Sequence, residues 1–473
     1  MNFFKGKKPK FSVLFLLLLI VIVGLFLRVR LAQDNFVHKW DERFHALVAK
    51  NVMKHPLKPT LYEDAVLSYD YTKWYSNHVW LHKQPLPLWL IASSYKLFGV
   101  SDFNTRIPSI FFSVLGIYIT YLLGKHFFGK KTGLLSAFFM AINGLVIEMG
   151  AGRVATDHYD LLFMVFIEIA ILFAYYNTML KRTVFAFVSG VFISLAILTK
   201  WLPALVVILL HFLFLKSRKF KSLDTMKQLG WSALAIVLIA LPWQMFIWHS
   251  YPSEARWEYY HNWLHIAQKL DGQGGGFFYF LGKIRINYSE VVYVPLIFLI
   301  FRLVKKRFAN DTLLVLFVWI FIPLVFFSLA KTKMQGYIMF ISPALFIVTA
   351  SFFFELRKAL VLEIKQTWLK AVCYLMLVAI IVLPLRYCFE RTAFGFNSPK
   401  HADYVDRYKV FKNQLSEKCI VLNVKEPIEF MFYNNCIAYS AKELSKNDLK
   451  HIKANGYKLF FLDEQEKILH SLH

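Results

Sequence analysis

Long apolar segments follow one another along most of this chain, from Phe11 to Phe389, and short polar segments separate them. Several of the apolar segments reach the ~20 residues with which a helix crosses the hydrocarbon core of a bilayer. The pattern predicts an α-helical polytopic membrane protein with roughly eleven transmembrane helices. The predicted spans are residues 11–30, 105–128, 132–150, 156–179, 183–200, 202–215, 229–249, 288–303, 312–330, 335–356 and 367–389.

The first loop, residues 31–104, contains an apolar segment that is too short to span a membrane. This segment, Pro85–Phe98, begins with Pro85 and Pro87 and contains Lys96. A short apolar helix with a charged residue is typical of the membrane interface. We therefore expect interfacial helices in this loop.

The C-terminal part of the chain has a different pattern. The apolar runs Cys419–Val424 and Tyr457–Leu462 are as short as strands, and stretches with helical spacing separate them. This alternation predicts a small α/β domain. The expected organisation is a membrane domain over residues 1–389 and an α/β domain over residues 390–473.

The composition agrees with a membrane protein. Of the 473 residues, 57% are hydrophobic and 18% are charged, whereas a soluble domain has about 25% charged residues. In a soluble protein, the net charge of +25 would indicate a nucleic-acid partner. Here the basic residues lie in short loops between spans, so nucleic-acid binding is not expected. The four cysteines form no CxxC pair, which argues against a cysteine metal site.

The basic loops also predict the orientation. If Pro85–Phe98 does not span, these loops all lie on one side of the membrane, and short loops rich in lysine and arginine face the cytoplasm. They are the N-terminus and residues 125–131, 181–182, 216–227, 302–307 and 357–370. The prediction is a multi-pass plasma-membrane protein with a cytoplasmic N-terminus and a C-terminal domain on the outer side.

Two carboxylates and a His-Lys pair in the first outer loop are candidates for catalysis. Asp41 and Glu42 follow the first span closely, and a carboxylate held near a hydroxyl removes its proton. The same loop ends with His82 and Lys83, residue types that bind a metal ion and a phosphate. The alternatives are that Asp41 caps a helix and that the His-Lys pair only anchors the chain at the interface.

A second acidic group lies at the outer start of the fourth predicted span. Asp157 and Asp160 are one helical turn apart, and His158 lies between them. Two acids and a histidine offer oxygen and nitrogen ligands to a cation. The alternative is a helix cap with a salt bridge to Arg153.

Three lysines stand at outer span ends, where the usual charge bias would not place them. They are Lys200, Lys331 and Lys333. A phosphate leaving group needs such cations, because its departure builds negative charge. A single outer lysine is otherwise an anchor whose stem lies along apolar surface.

In this order, the motifs resemble two related groups of the GT-C glycosyltransferase superfamily, the bacterial lipid A aminoarabinose transferases and the dolichyl-phosphate-mannose protein mannosyltransferases. The resemblance covers about residues 10–360 and implies a fold of the GT-C type. It rests on Asp41-Glu42, His82-Lys83-Gln84-Pro85 through Trp89, Asp157, Leu198-Thr199-Lys200, Leu241-Pro242-Trp243, Trp257 through His265, and Ala330-Lys331-Thr332-Lys333 with Tyr337 and Pro343.

The resemblance implies roles for single residues. Asp41 is similar to the catalytic carboxylate of these enzymes, and we expect Glu42 and Lys83 to act beside it. A further set is implied to surround the phosphate of the donor lipid. These residues are Lys83, Lys200, Lys331, Lys333 and Tyr337.

The resemblance also implies a divalent metal ion, either zinc or magnesium or manganese. Asp157 matches an acid that helps hold the metal in aminoarabinose transferases. His82 stands where those enzymes have a glutamate, and histidine is itself a zinc ligand. We further expect Arg153 and His265 to contact the acceptor or the surrounding loops.

The expected function is transfer of a sugar from a polyprenyl-phosphate donor to a lipid, glycan or protein hydroxyl on the outer face of the membrane. A protein O-mannosyltransferase is an alternative within this class. A transporter or flippase of lipid-linked sugars and a non-catalytic subunit are alternatives outside it. A transporter needs polar groups within its spans, for which Glu148, Glu168 and His211 are the candidates.

Overall fold

The computed structural model describes residues 12–155, 158–306, 311–415, 418–441, 444–463 and 468–472. Most of this part of the chain is helical. The helices are α1 (Val13–Leu31), α2 (Asp41–Val52), α3 (Pro85–Phe98), α4 (Asp102–Phe128), α5 (Lys130–Ile142), α6 (Gly144–Gly150), α7 (Asp160–Leu180), α8 (Thr183–Lys200), α9 (Val206–Ser217), α10 (Ser222–Ile239), α11 (Leu241–Ser250), α12 (Pro252–Ala267), α13 (Tyr279–Tyr288), α14 (Tyr293–Lys305), α15 (Asp311–Leu329), α16 (Ser342–Leu362), α17 (Thr367–Thr392), α18 (Asp403–Lys409), α19 (Pro427–Tyr433) and α20 (Lys446–Ala454). The strands are β1 (Cys419–Leu422), β2 (Ile437–Ala438), β3 (Lys458–Asp463) and β4 (Ile468–Leu472).

Eight helical segments within the described residues are long and apolar enough to cross a membrane. Two bent helix pairs raise the number to ten if each pair is one span. The polytopic membrane class is therefore confirmed, with slightly fewer spans than the roughly eleven predicted. The predicted span 202–215 lies within an apolar helical segment, Leu202–Ser217, that is shorter than the eight candidate spans.

The chain bends inside one predicted span and at the start of another. Within residues 132–150 it turns by 53° between α5 and α6, where the Asn143 side chain accepts a hydrogen bond from Val146 N and caps α6. At Ser289, at the start of the predicted span 288–303, the turn is 117° and φ is +82°. Asn143 does not interrupt the apolar run around it, so the hydrophobic pattern does not detect the first bend.

The spans pack around α7. In α7, 89% of the apolar window is buried inside the protein, compared with 11% in α17. α7 contacts α4 on one side and α8 on another, whereas α17 lies at the periphery. Exposed apolar side chains such as Leu14 and Leu375 cover the outer faces of peripheral spans, as expected for surfaces that face lipid.

The first outer loop carries two helices, α2 and α3. α3 has the predicted bounds and starts with Pro85, which is favoured at the first helical position because that residue needs no N–H donor. It ends at Gly99, whose φ of +85° suits glycine. α3 packs against α2 and α4, and it is too short to cross a membrane.

The residues after α17, called the tail domain below, contain a four-stranded sheet in the order β2-β1-β3-β4. β1 pairs in parallel with β2 and β3, and β4 is antiparallel to β3. The apolar runs Cys419–Val424 and Tyr457–Leu462 form β1 and β3, which confirms the small α/β unit. A disulfide between Cys419 and Cys436 connects β1 to the residue before β2.

The tail domain and the first outer loop share one hydrophobic core. Phe44 and Leu47 of α2 belong to the same buried cluster as Ile420 of β1 and Phe430 of α19, and α19 packs directly against α2. The residues that follow the last span are thereby folded onto the residues that follow the first.

Candidate active site

A buried arginine holds the turn between α1 and α2. Arg106 lies in the second turn of α4 and is fully buried. Its guanidinium donates hydrogen bonds to three carbonyl oxygens of the turn, those of Ala32, Asp34 and Phe36, at 2.8, 2.6 and 2.5 Å. The planar fork of donors in arginine suits several acceptors at once. The turn is therefore fixed to α4, and this sets where α2 begins.

Glu42, expected as a catalytic residue, lies inside this network. Arg106 Nε donates to Glu42 Oε1 at 2.7 Å, and His38 bonds Glu42 Oε2 through its backbone N–H and its ring. Burial alone would raise the pKa of Glu42, but the charges of Arg106 and His38 outweigh it and keep the pKa low. Since Glu42 is 2% exposed, its carboxylate is ionised yet inaccessible to a substrate.

Arg153, expected to contact the acceptor or a loop, completes the same network. Its guanidinium donates to both carboxylate oxygens of Asp34, at 2.8 and 2.7 Å. Asp34 also lies 3.3 Å from the His38 ring. Burial alone would raise the pKa of Asp34, but these hydrogen bonds, together with one from Lys400 N, lower it. Arg153 is thus a contact of the first loop in the structure.

Asp41, in contrast, faces outward from the network. It is the first residue of α2, and Trp40 occupies the capping position, so the helix-cap alternative does not describe it. The Lys83 ammonium lies 3.9 Å from Asp41 Oδ1, and both side chains are partly exposed. Successive helical residues point about 100° apart, which explains why Asp41 reaches solvent while Glu42 is buried.

His82 joins the first loop to α12. Its Nδ1 lies 3.4 Å from Glu258 Oε2, and its ring stacks on Trp74 at 4.6 Å and lies 5.6 Å from the His261 ring. Among the described residues, both carboxylate oxygens of Glu258, His82 Nδ1 and His261 Nε2 are buried without a hydrogen-bond partner. Polar atoms in this state need a ligand or water.

The far end of α12 carries His265, which Tyr337 contacts. Tyr337 Oη lies 3.1 Å from His265 Nδ1. Burial and the neighbouring histidines and lysines lower the pKa of His265 to about 3, so the ring is neutral at physiological pH. Burial also lowers the pKa of His261. Neutral imidazoles offer a nitrogen lone pair as well as an N–H.

Lys200 lies on the other side of Tyr337. Its Nζ is 5.2 Å from the centroid of the Tyr337 ring, a cation–π distance. The same ammonium pairs with Asp160 at the start of α7. Lys200 and Tyr337, two of the expected phosphate ligands, are therefore neighbours.

Lys333 and Lys331 differ in their surroundings. Lys333 is 3% exposed, and its ammonium donates to the carbonyl oxygens of Ser328 (2.9 Å) and Ala330 at the end of α15. Burial, with the nearby charge of Lys331, lowers the pKa of Lys333. Lys331 has an exposed side chain. Of the two, only Lys331 presents its ammonium to solvent, whereas Lys333 stabilises the end of a helix.

The expected metal ligands are only partly described. Asp157 lies outside the described residues. Within those residues, no group of three or more His, Cys, Asp and Glu side chains is arranged to hold a metal ion. His82 and Glu258, whose Nδ1 and Oε2 atoms lie 3.4 Å apart, nevertheless offer a buried nitrogen and two buried oxygens that make no hydrogen bond.

The contacts join segments that are far apart in the sequence. Lys83 lies beside Asp41, and the adjacent Gln84 accepts a hydrogen bond from Gln244 of α11 at 3.0 Å. The backbone of residues 331–332 donates to the end of α12. A continuous line of contacts thus runs from α2 through α12 to Lys200 at the end of α8.

The residues that the sequence analysis did not single out are Arg106 and Glu258. Arg106 is one arginine near the start of an apolar span, a position typical of interfacial anchors. Glu258 precedes His261 by one helical turn in a helix rich in tryptophan and tyrosine. The sequence signal that could have identified Glu258 is an acid and a histidine on one face of a helix rich in aromatic residues.

Comparison with known proteins identifies a matching family. Residues 82–245 match the model of the dolichyl-phosphate-mannose-protein mannosyltransferase family. The matching segment contains Lys83 and Lys200, whereas Asp41 and Tyr337 lie outside it.

Relatives in sequence include a protein of Aquifex aeolicus, 27% identical over 388 residues, which are 80% of this chain and 71% of that protein. Another is the undecaprenyl phosphate-alpha-4-amino-4-deoxy-L-arabinose arabinosyl transferase 1 of Pseudomonas fluorescens, 24% identical over 279 residues. That match covers 56% of this chain and 49% of the transferase. The chain therefore spans about half the length of the arabinosyl transferases that it matches.

Solved structures share the fold. ArnT from Cupriavidus metallidurans, bound to undecaprenyl phosphate, has a TM-score of 0.64 at 15% identity, covering 96% of this chain and 93% of that one. The oligosaccharyltransferase AglB from Archaeoglobus fulgidus, in complex with an inhibitory peptide and a dolichol-phosphate, has a TM-score of 0.65 at 12% identity, covering 98% and 70%. The same archaeal enzyme has been solved with zinc and sulfate. The expected resemblance is thereby confirmed, and the chain has the GT-C fold that it shares with glycosyltransferases of polyprenyl-phosphate-linked sugars.

Proposed function

We propose that this protein transfers a sugar from a polyprenyl-phosphate donor to a hydroxyl group of a lipid, glycan or protein on the outer face of the membrane. The observation that carries the proposal is the pairing of Asp41 with Lys83, 3.9 Å apart. In this arrangement the carboxylate can accept the proton of the acceptor hydroxyl, and the ammonium can neutralise the departing phosphate. The related proteins that use lipid-linked sugars support the donor class.

In the proposed reaction, the acceptor hydroxyl attacks the anomeric carbon of the donor sugar. The new bond joins that carbon to the acceptor oxygen, and the bond from the carbon to the phosphate oxygen breaks with inversion. Its electron pair leaves with the polyprenyl phosphate, and the hydroxyl proton passes to Asp41, the general base. Phosphate is already a good leaving group, so no nucleotide is required.

Lysine side chains around the donor stabilise the departing phosphate. Lys83 is next to Asp41, and Lys200 approaches from α8 beside Tyr337. Fixed positive groups that face developing negative charge lower the barrier without reorganising during the reaction. Lys331 is exposed and is the third phosphate ligand in this proposal. Lys333 contributes by holding the end of α15.

A divalent cation fits the same site. His82 and Glu258 supply buried nitrogen and oxygen atoms that make no hydrogen bond. This donor set suits zinc and, through the carboxylate, magnesium or manganese. We assign Asp157 as a further ligand on the basis of the resemblance. When bound, the cation would neutralise phosphate charge as a Lewis acid.

The proposed orientation places the tail domain and the first loop outside the cytoplasm. The basic loops on the opposite side support this orientation. The disulfide between Cys419 and Cys436 also supports it, because disulfides persist in oxidising compartments. The N-terminus is then cytoplasmic.

The polar groups within the spans give little support to the alternative that this protein is a transporter. Glu168 accepts a hydrogen bond from Thr120 at 3.2 Å, and His211 bonds Asn177 at 2.9 Å. Glu148 pairs with Arg391. Each group is bonded to a neighbouring helix, which is how polar side chains stabilise helix packing in membranes.

The test uses the full chain, purified and reconstituted in lipid nanodiscs with a polyprenyl-phosphate-linked sugar. We expect release of polyprenyl phosphate together with a glycosylated product in an envelope extract, both detected by mass spectrometry. A flippase would release no polyprenyl phosphate. Lys370→Ala, at an exposed lysine of α17, is the matched control for Lys83→Ala. The proposal fails if Asp41→Asn or Lys83→Ala transfers sugar at the wild-type rate.

A further inference from the structure

Helix α19 of the tail domain lies along α2, the helix that begins with Asp41. Arg43, in the first turn of α2, donates to Glu426 Oε2 and Glu429 Oε1, both at 2.9 Å. Glu429 is fully buried, so its carboxylate depends on this partner. Removing one member of such a pair leaves an uncompensated buried charge.

A second contact holds the other end of α2. The Lys50 ammonium donates to the carbonyl oxygens of Met431 (2.9 Å), Phe432 (2.9 Å) and Asn434 (3.2 Å) at the end of α19. The last carbonyl groups of a helix lack intrahelical partners and attract a cation. Lys50 follows Arg43 by two helical turns and lies on the same face.

A third contact reaches the turn before α2. Tyr433, the last residue of α19, accepts a hydrogen bond from Val37 N at 3.0 Å and donates one to Asp102 at 2.6 Å. Val37 belongs to the turn that Arg106 of α4 holds, and Asp102 starts α4. The tail domain therefore contacts the same turn that α4 holds.

Apolar packing extends these contacts. Tyr62 of the first loop stacks on Tyr439 of the tail domain, with ring centroids 5.2 Å apart. Phe44 and Leu47 of α2 are buried in the same cluster as Phe430 of α19. Most residues of α2 are buried, and the helix packs against both α3 and α19.

We propose that the tail domain is a positioning clamp for the catalytic helix, in which Arg43 and Lys50 bind α19 and thereby set the position of Asp41 relative to Lys83. Arg43, Lys50 and Glu429 are positioning residues and touch neither donor nor acceptor. The catalytic part of this proposal rests on the proposed function, whereas the structural part does not. A shift of about 1 Å at a reacting group costs an enzyme roughly 100-fold in rate.

The kinetic test compares variants of the full chain in nanodiscs. We expect Arg43→Ala and Lys50→Met to lower kcat for sugar transfer about tenfold or more, with KM for the donor lipid changed less than about twofold. The conservative variant Arg43→Lys should keep most of kcat, because it retains a cation between Glu426 and Glu429. Arg386→Ala, which breaks the exposed pair with Glu390, is the control and should leave kcat unchanged.

The positional test does not depend on activity. Spin labels on His55, just after α2, and on His249 at the end of α11, both exposed, report the distance between α2 and the membrane bundle. We expect Arg43→Ala and Lys50→Met to shift or broaden the distance distribution measured by double electron–electron resonance, and Arg43→Lys to leave it close to that of the wild type. If the wild type transfers no sugar, the proposed function fails while this measurement still tests the clamp. An unchanged distribution in both single variants would overturn the clamp, even if kcat falls.

Discussion

Arg106 in α4 donates a hydrogen bond to Glu42 at 2.7 Å, and both side chains are buried. The residue next to Asp41 is thereby fixed to a membrane-spanning helix. Adjacent acidic residues consequently have different environments: Glu42 is buried in the network of the turn, and Asp41 is partly exposed beside Lys83.

Arg106→Met should destabilise the protein strongly. The substitution leaves the Glu42 carboxylate buried without its main cation, which costs about 3–5 kcal/mol. Thermal unfolding in nanodiscs measures the effect. Arg386→Met breaks an exposed pair and should leave the unfolding temperature unchanged. Equal unfolding temperatures for the Arg106 and Arg386 variants would show that the network does not stabilise the turn.

Asp41→Asn should lower kcat by about 10²–10⁴-fold, the range expected for loss of a general base. Its unfolding temperature should stay close to that of the wild type, because the carboxylate is partly exposed. Glu42→Gln should lower the unfolding temperature more than Asp41→Asn does, and should lower kcat less. Turnover and unfolding measured on the same preparations separate these roles, and a Glu42 variant that loses only turnover would contradict them.

Lys200→Met should weaken donor binding and also folding, because it removes the ammonium that pairs with the buried Asp160 carboxylate. Lys333→Met should weaken folding without a comparable loss of donor binding. Loss of a hydrogen bond to a charged group costs about 1.5–3 kcal/mol, which corresponds to roughly 10- to 100-fold in affinity for the lipid phosphate. Lys333 instead donates to carbonyl oxygens of α15, so its loss leaves these buried acceptors unpaired. Equilibrium binding of polyprenyl phosphate distinguishes the two variants. A greater loss of affinity in Lys333→Met would refute this assignment.

The stability of the outer loop should depend on pH through His38. Burial alone would lower the pKa of His38, but the charge of Glu42 and hydrogen bonds to Asp34 and Glu42 raise it. A group that binds its proton more tightly in the folded state stabilises that state below its unfolded pKa of about 6.5, and this stabilisation is lost as pH rises through the folded-state pKa. The lowered pKa values of Asp34 and Glu42 act in the other direction, so their stabilisation is lost in acid.

Unfolding temperatures measured from about pH 4 to about pH 9 check this dependence. The wild type should be most stable between the acidic and the alkaline declines. His38→Gln should be less stable near pH 6 and should lack the alkaline decline. A variant profile parallel to that of the wild type above pH 6 would exclude His38 as its cause.

The metal content of purified variants should reveal whether Glu258 and His82 hold a cation. We expect the purified wild type to retain a divalent metal, and His82→Ala and Glu258→Gln to retain less of it, because each removes a donor atom. Elemental analysis after gel filtration provides the measurement, with His55→Ala as the matched control at an exposed histidine. Equal metal content in all four proteins would remove these residues from the ligand set.

The hydrophobic pattern predicted the membrane class, the bounds of α3 and the strands β1 and β3, because length and periodicity are local properties of a segment. It did not predict the bend between α5 and α6. That bend lies at Asn143, and the apolar run continues on both sides of this residue. The pairing of the tail domain with α2 was equally hidden, since Arg43 and Glu429 are separated by 386 residues.

For the site, the sequence predicted which segments carry clusters of polar groups but not which groups face one another. Asp41 and Glu42 are adjacent and chemically alike, and only the position of Arg106 separates their environments. Lys331 and Lys333 differ in the same way, because the carbonyl oxygens at the end of α15 bind one ammonium and not the other. Partner geometry of this kind depends on tertiary packing, which a residue pattern does not encode.

The shared core of α2 and the tail domain has a consequence for biosynthesis. Helix α2 is translated soon after the first span, whereas α19 is made only after α17, more than 370 residues later. A growing chain therefore holds Phe44 and Leu47 without their final partners until nearly all spans have been inserted. Packing of α2 against α19 therefore follows synthesis of the described spans, so a product truncated before α19 would carry the membrane bundle without the contacts that hold α2.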